Sequence, residues 1–164
     1  KLDHGITVNS NLIRPKSKGS VKLKTSNFKD LPLIDSNYLS NEDDIEMLFE
    51  SLIFAKKVIC TKPLSDIIIE EILPGKNITS KNDLINHCKK TVKTTWHPIG
   101  TCKMGTEEDN LSVVTPDLKV KEIENLRIFD ASVMPNIISG NTNAPTLALA
   151  DRAVDIMQNI TKVL

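Results

Sequence analysis

The sequence predicts an α+β fold: an antiparallel sheet with flanking helices, followed by a C-terminal strand-helix segment. Three patterns predict it. Short apolar alternations near the start are broken by proline, glycine and serine. Two capped stretches then carry apolar residues at helical spacing. Last, an apolar run ending in an acid precedes a helix led by proline.

Ile6, Val8, Leu12, Val21 and Leu23 recur in short alternating groups, with Pro15, Gly19 and serines between them, which is the punctuation of strands and hairpins. Ser40 with Asp43 three residues on is a helix start signal, and Ile45, Leu48, Phe49, Leu52 and Ile59 share one face over about five turns. Pro63, Pro74 and Gly75 mark a loop-rich connection. Ser80 and Asp83 repeat the start signal, and Leu84, Ile85, Cys88 and Val92 give a shorter helix ending just before His97. Glu107-Glu108-Asp109 reads as a solvated loop and Leu126 to Asp130 as a short buried strand ending at an acid. Pro145, behind Asn143, takes a first helical position, with Leu147, Ala150, Val154, Met157 and Ile160 forming one face of a terminal helix. Ala148, Ala150 and Ala153 are small enough to let that helix pack closely.

With 40% apolar and 26% charged residues over 164 positions, the chain reads as one soluble globular domain with a core of its own. Lys plus Arg equals Asp plus Glu at 21 each, so no net field draws nucleic acid or an acidic membrane. The cluster Lys16, Lys18, Lys22 and Lys24 is a local solvated strand face. No apolar run approaches the roughly 20 residues that span a bilayer. Cys60, Cys88 and Cys102 are odd in number and widely spaced, which excludes a disulfide framework, and their spacing to His87 and His97 does not match structural zinc. They suit buried small apolar positions. Asn77-Ile78-Thr79, Asn110-Leu111-Ser112 and Asn159-Ile160-Thr161 have the N-glycosylation form, although about two would arise by chance in so polar a chain. They tilt the expected location slightly toward secretion. The chain starts at Lys1 in mid-pattern and so reads as a piece or processed product of something longer.

Chemistry concentrates in two places. Trp96-His97-Pro98-Ile99-Gly100 sets one of only three histidines between a proline and a glycine turn. An imidazole suits the removal of a hydroxyl proton, because its pKa lies near neutrality. A loop histidine beside a tryptophan is also a common packing residue. Farther on, Asn141 and Asn143 precede the last helix, where an amide either caps the helix or donates to a ligand oxygen without being able to take a proton. Asp130, at the end of the expected strand, suits a cofactor hydroxyl or a simple turn cap. His4 and His87 read as surface or packing residues, and Cys102, Lys103 and Met104 as core or supporting ones.

Trp96 to Gly105, Asp130-Ala131-Ser132 and Ser139-Gly140-Asn141-Thr142-Asn143-Ala144-Pro145-Thr146 together resemble the C-terminal part of the glucose-methanol-choline (GMC) family of FAD-dependent oxidoreductases, especially its insect glucose-dehydrogenase-like members. Leu12 to Gly19 and Pro32 to Leu39 also resemble family segments, so the likeness runs along nearly the whole chain. It implies His97 as catalytic base, with Asn141 as its His-or-Asn partner. It implies Asp130 and Ala131 as contacts to the ribityl or pyrophosphate part of FAD, and Asn143 and Pro145 at a helix end facing the flavin. It further implies a substrate-domain portion over residues 1–112, and a segment 113–164 that packs on an FAD-binding domain absent from this chain.

A G-x-G-x-x-G turn to hold the pyrophosphate is missing from the 164 residues, so the chain alone is not expected to bind FAD. The leading expectation is the catalytic part of an enzyme that oxidises the CH-OH group of a sugar or alcohol and passes electrons to a quinone or other acceptor. An inactive remnant or binding module, and a lyase on the same scaffold, are the alternatives.

Overall fold

A computed structural model describes residues 4–158. In chain order its elements are β1 (Ser20–Lys22), β2 (Leu33–Asp35), α1 (Glu42–Ile59), α2 (Lys81–Thr91) and α3 (Asn143–Met157), with single 3-10 turns at Leu64–Asp66 and Ala131–Val133. The fold is α+β, as the sequence predicts. Two compact units divide it: residues up to Lys22 together with Leu33–Thr95, and Leu23–Pro32 together with the residues from Trp96 on.

In the first unit β1 and β2 pair antiparallel, with Val21 opposite Ile34. Gly19 leads into the pairing because a Cβ there would fall 2.1 Å from the Asp35 carbonyl oxygen. The alternation at Ile6, Val8 and Leu12 forms no strand. A strand needs a neighbour to complete its ladder, and the described residues supply one only to Ser20–Lys22. Ile6 and Val8 are therefore left exposed.

Helix α1 is capped by Asn41, not by Ser40. Asn41 is extended (φ −103°, ψ 132°) and its Oδ1 accepts from the Asp43 amide at 2.9 Å. A tertiary contact fixes this start, since the Asn41 amide donates to Ser17 Oγ at 3.1 Å. One turn in, Asp44 is only 4% exposed and accepts from the amides of Lys16 at 2.9 Å and Ser17 at 2.7 Å, and from the Ser17 hydroxyl. Burial alone would raise the Asp44 pKa; the donated hydrogen bonds outweigh it and hold the carboxyl below its ordinary value. Ile45, Leu48, Phe49, Leu52 and Ile59 are all half-buried along one side of α1, which packs on α2. Helix α2 begins as expected: Ser80 Oγ accepts from the Asp83 amide at 3.1 Å and donates to its carboxylate at 2.6 Å. Leu84 and Cys88 are its buried residues. Lys81 joins the two helices, with its ammonium 2.6 Å from Glu46 and 5.0 Å from the Phe49 ring centre.

The second unit is built on Val114, Leu118, Val133 and Ala153, with Met104, Val113, Val120, Ile128, Phe129 and Leu149 packed around them. The strand expected over Leu126–Asp130 is reduced to a bridge between Lys119 and Arg127, because its partner stretch turns at both ends. Val120 N to Leu126 O (2.9 Å) and Ile128 N to Leu118 O (3.1 Å) still hold it to that core. Helix α3 starts earlier than its proline suggests. Asn143 is its first residue and Pro145 its third, a place where the absent N-H has no intrahelical partner anyway. The apolar face of the sequence pattern is not the side that meets this unit's core. Ala153 is buried and Leu149 reaches the core, whereas Leu147, Val154 and Met157 are 63%, 45% and 54% exposed. The helix is apolar on more than one side, so periodicity could not select the stripe; the small Ala153 admits the closer approach. Ile160 and the Asn159 glycosylation motif lie outside the described residues. Among those described, no helix is long and apolar enough to cross a membrane.

Replacing Asp44 with Asn should lower stability by about 2 kcal/mol near neutral pH, since the amide cannot satisfy all three donors. Because folding depresses the Asp44 pKa, its contribution is present above the unfolded carboxylate value of about 3.9 and is lost as pH falls through the folded value. Urea unfolding of wild type and Asp44→Asn should thus show a stability gap that closes in acid. A gap constant from pH 7 down to pH 2 would contradict this account.

Candidate active site

The candidate residues His97, Asp130, Ala131, Asn141, Asn143 and Pro145 all fall in the second unit. His97 sits in a turn shaped by two left-handed residues, Trp96 at φ 65° and Gly100 at φ 82°. Such a φ is costly for a bulky residue, and Trp96 holds it while 83% exposed. At Gly100 a Cβ would also meet the Met134 carbonyl oxygen at 3.3 Å. His97 is half-buried, and its Nδ1 lies 3.0 Å from Thr142 Oγ1.

Past Gly100 the chain is fastened on two sides. Cys102 N donates to Ser132 O at 2.9 Å and Met104 N to Val133 O at 2.8 Å, joining the turn to the Asp130–Val133 segment. Val113 N donates to Lys103 O at 2.9 Å and Gly105 N to Val114 O at 3.0 Å, joining it to the core. The loop between is not simply solvated. Glu107 and Glu108 are exposed as expected, but Asp109 is half-buried against Lys103, Oδ2 to Nζ 2.9 Å. That hydrogen bond, with one from the Leu111 amide, holds the Asp109 carboxyl below its ordinary pKa. The Lys121 ammonium donates to the carbonyls of Thr106 (2.7 Å), Asp109 (3.0 Å) and Glu107 (3.4 Å).

Asp130 takes the turn-cap role. Its Oδ1 accepts from the Ser132 amide at 2.8 Å at the head of the 3-10 turn, and hydrogen bonds from Ser132 lower its pKa. The carboxylate remains exposed, and Ala131 beside it is half-buried. Asn141 is exposed immediately before Thr142. Asn143 and Pro145 lie inside the first turn of α3 instead of preceding it, so neither caps the helix. The cap position belongs to Thr142, whose side chain makes no capping bond, leaving the Asn143 and Ala144 amides without a capping side chain. The structure thus brings His97 to the Asn141–Asn143 arm through Thr142, and ties the Asp130–Ala131 arm to the histidine turn through backbone bonds. Thr142 is the residue that sequence reasoning passed over. The sequence hid it, because Pro145 reads there as the first helical residue, and only the structure makes Thr142 the residue that precedes the helix.

All three cysteines are free, and no group of His, Cys, Asp and Glu among the described residues could hold a metal. Residues 15–150 match the family described as GMC oxidoreductase. The chain belongs to this family. Among curated relatives it is 38% identical over 156 residues to the alcohol dehydrogenase [acceptor] of Pseudomonas putida, covering 95% of this chain and 28% of that protein. Pyridoxine 4-oxidase from Mesorbium loti superposes with a TM-score of 0.82 at 31% identity, over 92% of this chain and 29% of the oxidase. Formate oxidase from Aspergillus oryzae RIB40, in a variant studied for FAD modification, superposes with a TM-score of 0.76 at 25% identity, over 95% and 29%. This GMC chain therefore spans little more than a quarter of the length of these relatives.

Within the GMC chain, the turn carrying His97 depends on the backbone at Gly100. Gly100→Ala should destabilise the protein by roughly 1–3 kcal/mol, because the new Cβ meets both a left-handed φ and the Met134 carbonyl. Denaturant unfolding measures the loss. A variant as stable as wild type would show that the turn can relax without cost.

Proposed function

We propose that this chain is the proton-handling part of an FAD-dependent GMC enzyme that oxidises the CH-OH group of an alcohol or sugar. One observation carries the reading: the histidine turn and the Asn141–Asn143 arm meet at the uncapped start of α3, with His97 anchored there through Nδ1. Anchoring one ring nitrogen leaves the other, Nε2, to take the hydroxyl proton of a bound alcohol. Asn141, exposed one residue from that anchor, donates a hydrogen bond to the substrate oxygen and orients it. An amide cannot accept the proton, so the basic step rests on His97 alone.

FAD suits this site in its polar contacts. The first turn of α3 offers two amides without a capping side chain at the positive end of a helix dipole, which favours an electron-rich ligand edge. Asn143 and Pro145 on that turn, with Asp130 and Ala131 on the neighbouring arm, are the residues we assign to it. When bound, FAD supplies the acceptor for the hydride leaving the substrate carbon, the electrons passing on to a quinone or another acceptor. No G-x-G-x-x-G turn lies in this chain, so the pyrophosphate is assigned to an N-terminal FAD-binding part. The exposed Leu147, Val154 and Met157 side of α3 is an apolar surface that such a part could cover.

The test uses the protein with its FAD-binding part. The flavin absorption band should bleach anaerobically with an alcohol or sugar from a panel of simple alcohols, choline and glucose. His97→Ala should keep its FAD and lose roughly 100- to 10,000-fold in kcat/KM, the range typical for removing a general base. An unchanged rate would remove His97 from the mechanism. Bound FAD that no alcohol or sugar bleaches would remove the oxidoreductase reading itself.

A further inference from the structure

We propose that Thr142 is a positioning residue that holds His97 through Nδ1, supporting the tautomer with its proton on Nδ1 and its lone pair on Nε2. The inference rests on His97 acting as the base. Its physical ground is a hydroxyl found in an unexpected bond. At a helix N-cap, a threonine oxygen ordinarily accepts from the amide of the second or third helical residue, and the backbone is extended so that the side chain can reach it. Thr142 does neither. Its backbone is already helical (φ −78°, ψ −8°), and no capping bond forms. The third helical residue is Pro145, which has no N-H to cap, so one of the two usual targets is removed by the sequence itself. The hydroxyl is committed instead to His97 Nδ1 at 3.0 Å.

The backbone of Thr142 is well anchored for this task. Its carbonyl accepts twice from Thr146, from the amide at 3.0 Å and from the hydroxyl at 2.6 Å. Its side chain is β-branched, which restricts χ1 and so limits where Oγ1 can lie. A hydrogen bond of this geometry can run in two directions, and the chemistry selects one. With Nδ1 occupied by Thr142, only Nε2 can meet the alcohol. A proton on Nδ1, donated to Oγ1, leaves a lone pair on Nε2. The reverse direction, with the hydroxyl donating to Nδ1, places the ring proton on Nε2 and leaves no base there. Thr142 therefore does more than hold the ring in place: by occupying Nδ1 it leaves Nε2 as the nitrogen that meets the alcohol, with a hydroxyl oxygen at hand to accept the Nδ1 proton. It also lies between Asn141 and Asn143, so the same bond fixes the spacing between the base and the amide that orients the substrate.

The experiment compares wild type, Thr142→Val and Thr142→Ser in the holoenzyme carrying ¹⁵N-labelled histidine. Valine keeps the branched shape and removes the hydroxyl; serine keeps the hydroxyl and removes the methyl. The His97 ring nitrogens of wild type should report Nδ1 protonated. In Thr142→Val the tautomers should mix, and kcat should fall about tenfold or more with KM and FAD content little changed. Thr142→Ser should recover most of kcat and the Nδ1-H tautomer. A wild-type spectrum with the proton on Nε2 would overturn the proposal, whatever the variants do. So would a valine variant matching wild type in tautomer and kcat, or a serine variant as impaired as the valine one. The nitrogen spectra do not depend on turnover. If His97→Ala stays active, the base assignment fails, while the spectra still report separately whether Thr142 sets the tautomer.

Discussion

The backbone between Cys102 and Gly105 is hydrogen-bonded on both of its sides, and the candidate site depends on that double attachment. One edge bonds to Ser132 and Val133, the other to Val113 and Val114. Val114 and Val133 are fully buried, so these short ladders are pinned to the centre of the second unit's core and do not ride on its surface. The histidine turn immediately before them inherits this fixed frame at one end. The Asp130–Ala131 arm is reached from the other side of the same four residues. A site assembled from loops becomes precise here because its loops share one rigid strip of main chain.

Little regular secondary structure surrounds that strip. From Trp96 to Asn141 the chain contains isolated bridges, turns and one 3-10 turn, yet its amides are paired repeatedly across long sequence separations. The apolar core beneath is small, so polar closure carries much of the order. Asp44 illustrates the same economy in the first unit, where one buried carboxylate gathers the amides of two preceding residues and the start of a helix. Both units thus use a few heavily bonded groups where larger proteins use extended sheets.

The parts of this architecture that were legible in the sequence are those governed by local rules. Ser80 and Asp83 announce α2 because the cap serine and the amide and carboxylate it bonds lie within four residues. The α1 cap is displaced by one residue because Ser17, distant in sequence, bonds Asn41 and not Ser40. Residues whose fate depends on a neighbour not adjacent in sequence were the hard ones. The alternation at Ile6 and Val8 has a strand's pattern but no described edge to join, and Leu126–Asp130 has a strand's composition but a partner too short for a ladder. Which side of α3 meets this chain's own core could not be read from the sequence, because Leu147, Val154 and Met157 look no less apolar than Leu149 and Ala153. In the candidate site, motifs pointed to His97, Asp130 and the Asn141–Asn143 stretch as candidates. They gave Thr142 no role of its own, since threonine ahead of a helix ordinarily signals nothing beyond a cap.

The carbonyls of Thr106, Glu107 and Asp109 converge on the Lys121 ammonium, an oxygen cage of the kind that elsewhere surrounds a dissolved cation. Here the cation is covalently part of the chain. It cannot be diluted away, exchanged for another ion or stripped by a chelator, and its local concentration is set by a tether of known length. The loop following the histidine turn is therefore drawn together by a cation that the sequence itself supplies.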